Sequence, residues 1–310
     1  MRRSSSDDNP DSIGIDLCGF HLKSPTMLAS GILGISFDLF PRIISSGCGA
    51  IVSKSIGRDP REGYKNPTLT GVEAGYLNAI GLANPGVEIF AEELQQDSGK
   101  TPLIVSIFSG TPQDFADLAN RLNEFPFLAY ELNLSCPHVR DVGAEVGADP
   151  EEAAKVIREV KMVTSKPVFA KMPASIPNVG EWGRAVARAG ADAIVAINTV
   201  RAMRIDVASK KPILSNKIGG LSGSAIRSIG VRAVYELYEA VSIPIIGVGG
   251  VGDWVSAAEY FLAGANAVQI GSAIGETFLS TFGNINNGLQ KYLKTQGYSK
   301  ISEMIGIAHS

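Results

Sequence analysis

Gly190-Ala191-Asp192-Ala193-Ile194-Val195 has two echoes in the chain, Gly47-Cys48-Gly49-Ala50-Ile51-Val52 and Gly264-Ala265-Asn266-Ala267-Val268-Gln269. Each copy opens on a glycine where a helix should stop. It passes through small residues and enters a short, largely β-branched run. That order reads as a helix C-terminus feeding a buried strand. A second kind of strand start lies between the copies: Pro102-Leu103-Ile104-Val105, Pro167-Val168-Phe169-Ala170 and Pro244-Ile245-Ile246-Gly247. Proline at the first position of a strand removes no ladder donor.

Thr26–Ala29 and Leu128–Leu134 bring the count of short apolar strands to eight. Helical periodicity covers Thr111–Asn123, Pro150–Val163, Val179–Ala189, Ala225–Val241 and Asp253–Ala263. Pro150-Glu151-Glu152 is a favourable helix start, with acids in the first turn. Strands alternating with helices predict a parallel sheet. Eight such units in about 280 residues suit an α/β fold of the closed (β/α)8 TIM-barrel type. An open doubly wound sheet is the alternative, but no Gly-x-Gly-x-x-Gly follows the first strand. Ile13–Lys23 is expected to form a hairpin capping the barrel bottom. Residues 1–12 read as a disordered tail and 13–310 as one barrel domain.

Composition excludes several classes of function. The 310 residues carry a net charge of −3 and no Lys/Arg stripe, which disfavours nucleic acid. Cys18, Cys48 and Cys136 are few, odd in number and far apart, so neither a disulfide framework nor a metal site is expected. No apolar run approaches the roughly 18 residues of a spanning helix. These features point to a reducing, cytoplasmic setting without membrane contact.

A barrel of this kind builds its active site at the C-terminal ends of its strands. Those ends carry Ser30-Gly31, Lys54, Ser106, Asn133 with Cys136, Lys171, Asn198-Thr199, Gly249-Gly250 and Gly271-Ser272. Two lysines at a barrel mouth call for an anion or developing negative charge. The glycine turns after the last two strands are either plain tight turns or a phosphate pocket, and their position favours a phosphorylated cofactor. Cys48 aligns with Ala191 and Ala265 and reads as a packing residue, as does Cys18 in the hairpin. Cys136 occupies no periodic core position. It stands between Ser135 and Pro137 and opens the polar segment His138–Asp149, whose Gly143 and Gly147 suit a mobile lid. A Cys136–His138 nucleophilic pair is one reading, although no acid or amide is placed to orient it.

At these residues the chain resembles the class 1 dihydroorotate dehydrogenases, most closely the subclass that works with an iron–sulfur flavoprotein partner. The resemblance runs from about Gly14 to the C-terminus. It rests on Ala29-Ser30-Gly31, Asn66-Pro67, Leu77–Gly86, Glu131–Pro137, Ile197-Asn198-Thr199, Ile205-Asp206, Lys211–Leu214 and Gly219–Gly223. It implies a bound FMN and the oxidation of dihydroorotate to orotate in pyrimidine biosynthesis. Cys136 would take the C5 proton while a hydride passes from C6 to flavin N5. Lys171 would stabilise negative charge on the flavin, and Lys54 would lie between flavin and substrate carboxylate. Lys54, Asn78, Gly81, Leu82, Asn133, Asn198 and Thr199 would hold the substrate. Ala29, Ser30, Lys54, Ser106, Asn133, Lys171, Ile197, Gly220, Gly223, Gly249, Gly250, Gly271 and Ser272 would line the FMN.

Two departures stand out. His138 occupies the place of a usual asparagine, as in the related dihydropyrimidine dehydrogenases. Lys171-Met172-Pro173-Ala174-Ser175 replaces a more usual Lys-Leu-Ser-Pro-Asn. The resemblance further implies an FAD- and iron–sulfur-containing subunit as electron acceptor, reducing NAD, and homodimerisation of the barrel. Competing readings are a Schiff-base aldolase using Lys54 or Lys171, an FMN reductase of tRNA uridines, and a non-catalytic scaffold.

Overall fold

The computed structural model describes residues 12–135 and 147–310. Eight parallel strands close into a barrel: β1 (Thr26–Leu28), β2 (Ala50–Val52), β3 (Leu103–Ile107), β4 (Ala129–Asn133), β5 (Val168–Lys171), β6 (Ala193–Ala196), β7 (Ile245–Val248) and β8 (Ala267–Ile270). They pair in chain order, and β8 returns to β1 through Val268 opposite Thr26. The (β/α)8 expectation therefore holds.

The three repeats behave alike. Gly47, Gly190 and Gly264 have φ of 98°, 102° and 118°, the left-handed turn that ends a helix. Cys48, Ala191 and Ala265 are buried at equivalent places. The Cys48 thiol donates to Ala50 O at 3.0 Å, and burial pushes its pKa up to about 12, as expected of a packing residue. At the other kind of strand start, the carbonyls of Pro102, Pro167 and Pro244 accept from Ile51, Tyr130 and Ile194 on neighbouring strands. The prolines lose no donor and keep their acceptor in the ladder.

The expected helices form, four of them with side-chain N-caps, while Arg227–Ala240 has none. Thr111, Asp149 and Asn178 accept from first-turn N–H groups, and Asp253 forms a capping box with Ser256. Two long helices were absent from the sequence expectation. Val87–Asp97 begins after Gly86, which offers no side-chain cap. Ser280–Gln296 contains Gly283, Gly288 and three asparagines, a weak helical composition. Tertiary packing overrides that weakness. The Asn286 amide receives Ser24 Oγ at 3.1 Å and Thr26 Oγ1 at 3.0 Å and donates to Gly47 O at 2.7 Å, and Gly288 lies where any Cβ would strike Trp254.

The N-terminal hairpin pairs Ile15–Leu17 with Phe20–Leu22 across Cys18-Gly19, both at positive φ, a tight two-residue turn. Cys18 Sγ donates to Asp192 O at 3.3 Å, just before β6, and the Phe20 ring lies 6.4 Å from that of Phe169. The hairpin thus closes the N-terminal end of the barrel.

The opposite end carries a four-stranded antiparallel sheet that sequence periodicity did not signal. Its order is Val200–Met203, Ile218–Ser222, Gly75–Asn78 and Leu69–Val72. Leu77, Ala79 and Leu214 form its small separate core. This sheet is a roof over the mouth, assembled from insertions in two strand-to-helix loops.

Candidate active site

Beneath the roof lies a cavity of about 2050 Å³, walled by strand ends all around the barrel. A single small ligand usually occupies a pocket of roughly 300–1,000 Å³. The space here suits a cofactor and a substrate together.

The floor is a connected set of polar side chains. Ser55 Oγ lies 3.3 Å from Ser30 Oγ and 2.9 Å from Ser106 Oγ, and it accepts from Asn133 Nδ2 at 3.2 Å. Asn133 Oδ1 accepts from Asn198 Nδ2 at 3.2 Å and from Ser135 N at 3.3 Å. Asn198 Oδ1 accepts from Thr199 N at 2.8 Å. These partners fix both amides. Each amide nitrogen keeps one N–H for the cavity among the described residues, a donor pair suited to the carbonyls of a planar ring.

Strand alternation delivers the two lysines differently. On β4, Tyr130 points outward to Ala119 O, while Glu131 points inward and is fully buried. Glu131 Oε1 lies 3.2 Å from Lys171 Nζ, and Glu131 Oε2 accepts from Gln269 Nε2 at 2.6 Å. Lys171 Nζ also donates to Gln269 Oε1 at 3.1 Å. Lys171 therefore brings its own counter-charge. Lys54, at the end of β2, has no ion-pair partner among the described residues, and burial lowers its pKa below the ordinary lysine range. An unpaired, partly desolvated ammonium facing a cavity is a receptor for an anion.

The glycine turns make the opposite wall. Gly249 and Gly250 have φ of 125° and 68°, and Tyr260 Oη braces the turn by donating to Gly249 O at 2.7 Å. The N–H groups of Gly250 and Ser272 meet no acceptor among the described residues. A Cβ on Gly271 would come no closer than 3.6 Å to any neighbour, so the space before that turn is open. The helix after β8 is only Ile274–Thr277, so bare backbone rather than a long helix dipole supplies the donors. Ser135 Oγ also lines the cavity, buried and without a hydrogen-bond partner among the described residues. Open glycine turns, idle N–H groups and an orphaned hydroxyl fit a bound phosphorylated, planar cofactor such as FMN.

The expected residues converge. Ala29, Ser30, Lys54, Asn133, Lys171, Ile197, Asn198, Thr199, Gly249, Gly250, Gly271 and Ser272 line the cavity from the barrel, and Asn78, Gly81, Leu82, Gly220 and Gly223 line it from the roof and its loops. Asn78 Nδ2 donates to Gly220 O at 3.1 Å, and a Cβ on Gly220 would overlap the Thr199 side chain. Ser106 does not line the cavity; it is fully buried and holds Ser55, which does. Cys136, His138 and the segment expected to act as a lid fall, up to residue 146, outside the described residues. Its flanks are joined by Gly147 N donating to Leu134 O at 2.8 Å, and Trp182 Nε1 ties Gly147 to the helix Val179–Arg188 by donating to its carbonyl at 2.7 Å.

Sequence reasoning missed Glu131, Gln269, Ser55 and Asn84. Asn84 Oδ1 accepts from Gly57 N at 3.2 Å and Gly86 N at 2.9 Å, which anchors the loop bearing Gly81 and Leu82. The available signal was polarity in an apolar run: Glu131 within Ala129–Asn133 and Gln269 within Ala267–Ile270. No group of three or more potential metal ligands occurs among the described residues, and no helix there is long and apolar enough to cross a membrane.

Comparison with known proteins adds a family. A family model described as dihydroorotate dehydrogenase matches residues 12–293. Among curated proteins, the chain is 47% identical over 294 residues to dihydroorotate dehydrogenase B (NAD(+)), catalytic subunit, of Pyrococcus abyssi, covering 95% of this chain and 98% of that one. The protein of the same description from Pyrococcus furiosus is 47% identical over 297 residues, 96% of this chain and 99% of its own. That of Methanocaldococcus jannaschii is 42% identical over 299 residues, 95% and 97% respectively.

Proposed function

The chain belongs to the dihydroorotate dehydrogenase family, and from that premise we propose that it oxidises dihydroorotate to orotate in pyrimidine biosynthesis with a bound FMN. The observation that carries this reading is the division of one cavity. The unpaired Lys54 ammonium and the Asn133–Asn198 donor pair occupy one part, and open glycine turns another. The first group suits a planar ring with carbonyls and a carboxylate; the second suits a phosphate. Residues 13–310 are taken as one FMN-binding domain.

Ala29, Ser30, Gly220, Gly223, Ile197 and the turns at Gly249-Gly250 and Gly271-Ser272 would hold the FMN, with Ser106 acting through Ser55. FMN, when bound, supplies the two-electron acceptor. Lys171 presents positive charge where negative charge develops, already oriented by its neighbours, so little reorganisation accompanies the reaction. Lys54 draws the substrate carboxylate into the cavity. Asn78, Gly81 and Leu82 would close over the ring from the roof side, while Asn133, Asn198 and Thr199 fix its plane. Cys136 is the proposed base for the C5 proton. Its support is its setting after β4 and the place of its neighbour Ser135 in the cavity wall. The Schiff-base alternative drew on the same lysines, and family membership sets it aside.

The relatives are named as catalytic subunits, which implies a partner subunit. The proposed partner carries FAD and an iron–sulfur cluster and passes electrons to NAD, with the barrel itself paired as a homodimer. The test is direct. Purified protein is expected to show a flavin spectrum and to bleach on anaerobic addition of dihydroorotate. A spectrum that bleaches with another dihydropyrimidine but not with dihydroorotate overturns the substrate, and a protein that takes up no flavin overturns the cofactor.

A further inference from the structure

Glu131, Gln269 and Lys171 come from three separate strands and meet inside the barrel at 3.2, 3.1 and 2.6 Å. Glu131 is 0% exposed, Gln269 1% and Lys171 6%. A buried charged pair is a weak source of stability, since apolar residues of the same volume often serve as well. Barrel interiors are filled mainly by apolar side chains at such positions, so a charged trio needs another reason. An ammonium has three N–H donors, and two are engaged here. Lys171 also lines the cavity, so the third is left for whatever lies above it.

We propose that Glu131 and Gln269 are positioning residues that keep Lys171 protonated and aimed into the cavity in both redox states of the flavin. This rests on the FMN reading above. With Lys171 charged throughout, reduction of the flavin takes up one proton per two electrons, because the lysine balances the negative charge left on the ring. Without Glu131, the buried ammonium loses its counter-charge and gives up its proton while the ring is neutral. It regains that proton when the ring becomes negative. The uptake then becomes two protons. The other charged groups lining the cavity among the described residues are Lys54 at the floor and Arg58, Asp59, Arg61, Asp114 and Arg201 on the surrounding loops and roof. Among the described residues Lys171 makes its hydrogen bonds and ion pair with Glu131 and Gln269, so the charge balance falls to Glu131.

The test is the flavin midpoint potential followed from about pH 7 to about pH 9. One proton per two electrons changes the equilibrium constant tenfold per pH unit, about 30 mV; two protons change it a hundredfold, about 59 mV. The unaltered protein and Glu131→Asp are expected to follow the shallower slope, and Glu131→Gln the steeper. An unchanged slope in flavin-loaded Glu131→Gln overturns the proposal. Should Glu131→Gln fail to retain flavin, the double variant Glu131→Gln/Lys171→Met decides. Recovered binding shows that the unpartnered Lys171 side chain was the fault and supports the positioning role; continued failure assigns Glu131 to the architecture alone. A parent protein that never binds flavin would instead defeat the functional reading.

Discussion

Asn198 Nδ2 donates to Asn133 Oδ1 across 3.2 Å, linking the ends of β4 and β6 and setting the orientation of both amides. Neither can rotate to suit a different ring without breaking a bond to the other. Asn198→Asp removes the donor and places a carboxylate beside an anionic substrate. Substrate affinity is expected to fall about tenfold to hundredfold, in keeping with loss of a hydrogen bond involving a charged group. Flavin content should not change. Binding titrations with orotate, read against the flavin spectrum, check both.

Lys54 is held below its ordinary pKa by burial. The folded state therefore disfavours its charge. That penalty is complete at any pH below the lowered folded value. It fades as pH rises through the lowered folded value toward the unfolded one. Lys54→Met is expected to melt a few degrees higher than the parent at pH 7 in the absence of ligand, with the gain shrinking at alkaline pH. The same variant should bind orotate far more weakly. In the parent, orotate affinity should decline as pH rises through the Lys54 pKa, and calorimetric titration across pH reads that directly.

Gly220 leaves no room for a Cβ against Thr199, and Asn78 donates to its carbonyl. Gly220→Ala must push the roof strand away from the mouth. Such overpacking costs about 1–3 kcal/mol. The expected result is a lower melting temperature together with reduced flavin content, measured by thermal denaturation and by flavin absorbance per protein.

Cys136→Ser should keep its flavin and bind orotate normally, yet slow anaerobic flavin reduction most severely near neutral pH. A serine hydroxyl is a far weaker base than a thiolate. Rapid mixing with dihydroorotate reads the rate, and reduction as fast as in the parent removes Cys136 from the chemistry.

The barrel was legible because its signals are local. Glycines at 47, 190 and 264 end helices, and prolines at 102, 167 and 244 begin strands; each acts within a few residues. The ring of polar strand ends was legible for the same reason, once the fold placed them on one face. The roof was not. Its strands are interrupted by Gly71, Gly75, Gly219 and Gly220, and its two local pairings become one sheet only through a ladder between segments more than a hundred residues apart, as Gly220 opposite Asn78 shows. Ser280–Gln296 was hidden by asparagines and glycines that serve contacts with the barrel rather than helical propensity. Ser106 lies behind Ser55 and not at the cavity surface, a detail that a strand end read from sequence does not reveal. Glu131 and Gln269 needed the three-dimensional meeting of β4, β5 and β8 to become a set.

The hairpin that packs Phe20 near Phe169 makes the barrel a vessel stopped at one end. Dihydroorotate and orotate must then pass the same doorway, and one must leave before the other enters. A small diffusible oxidant would have to queue at that doorway too. A partner subunit that collected electrons at the rim, without ever entering, would stand outside that queue.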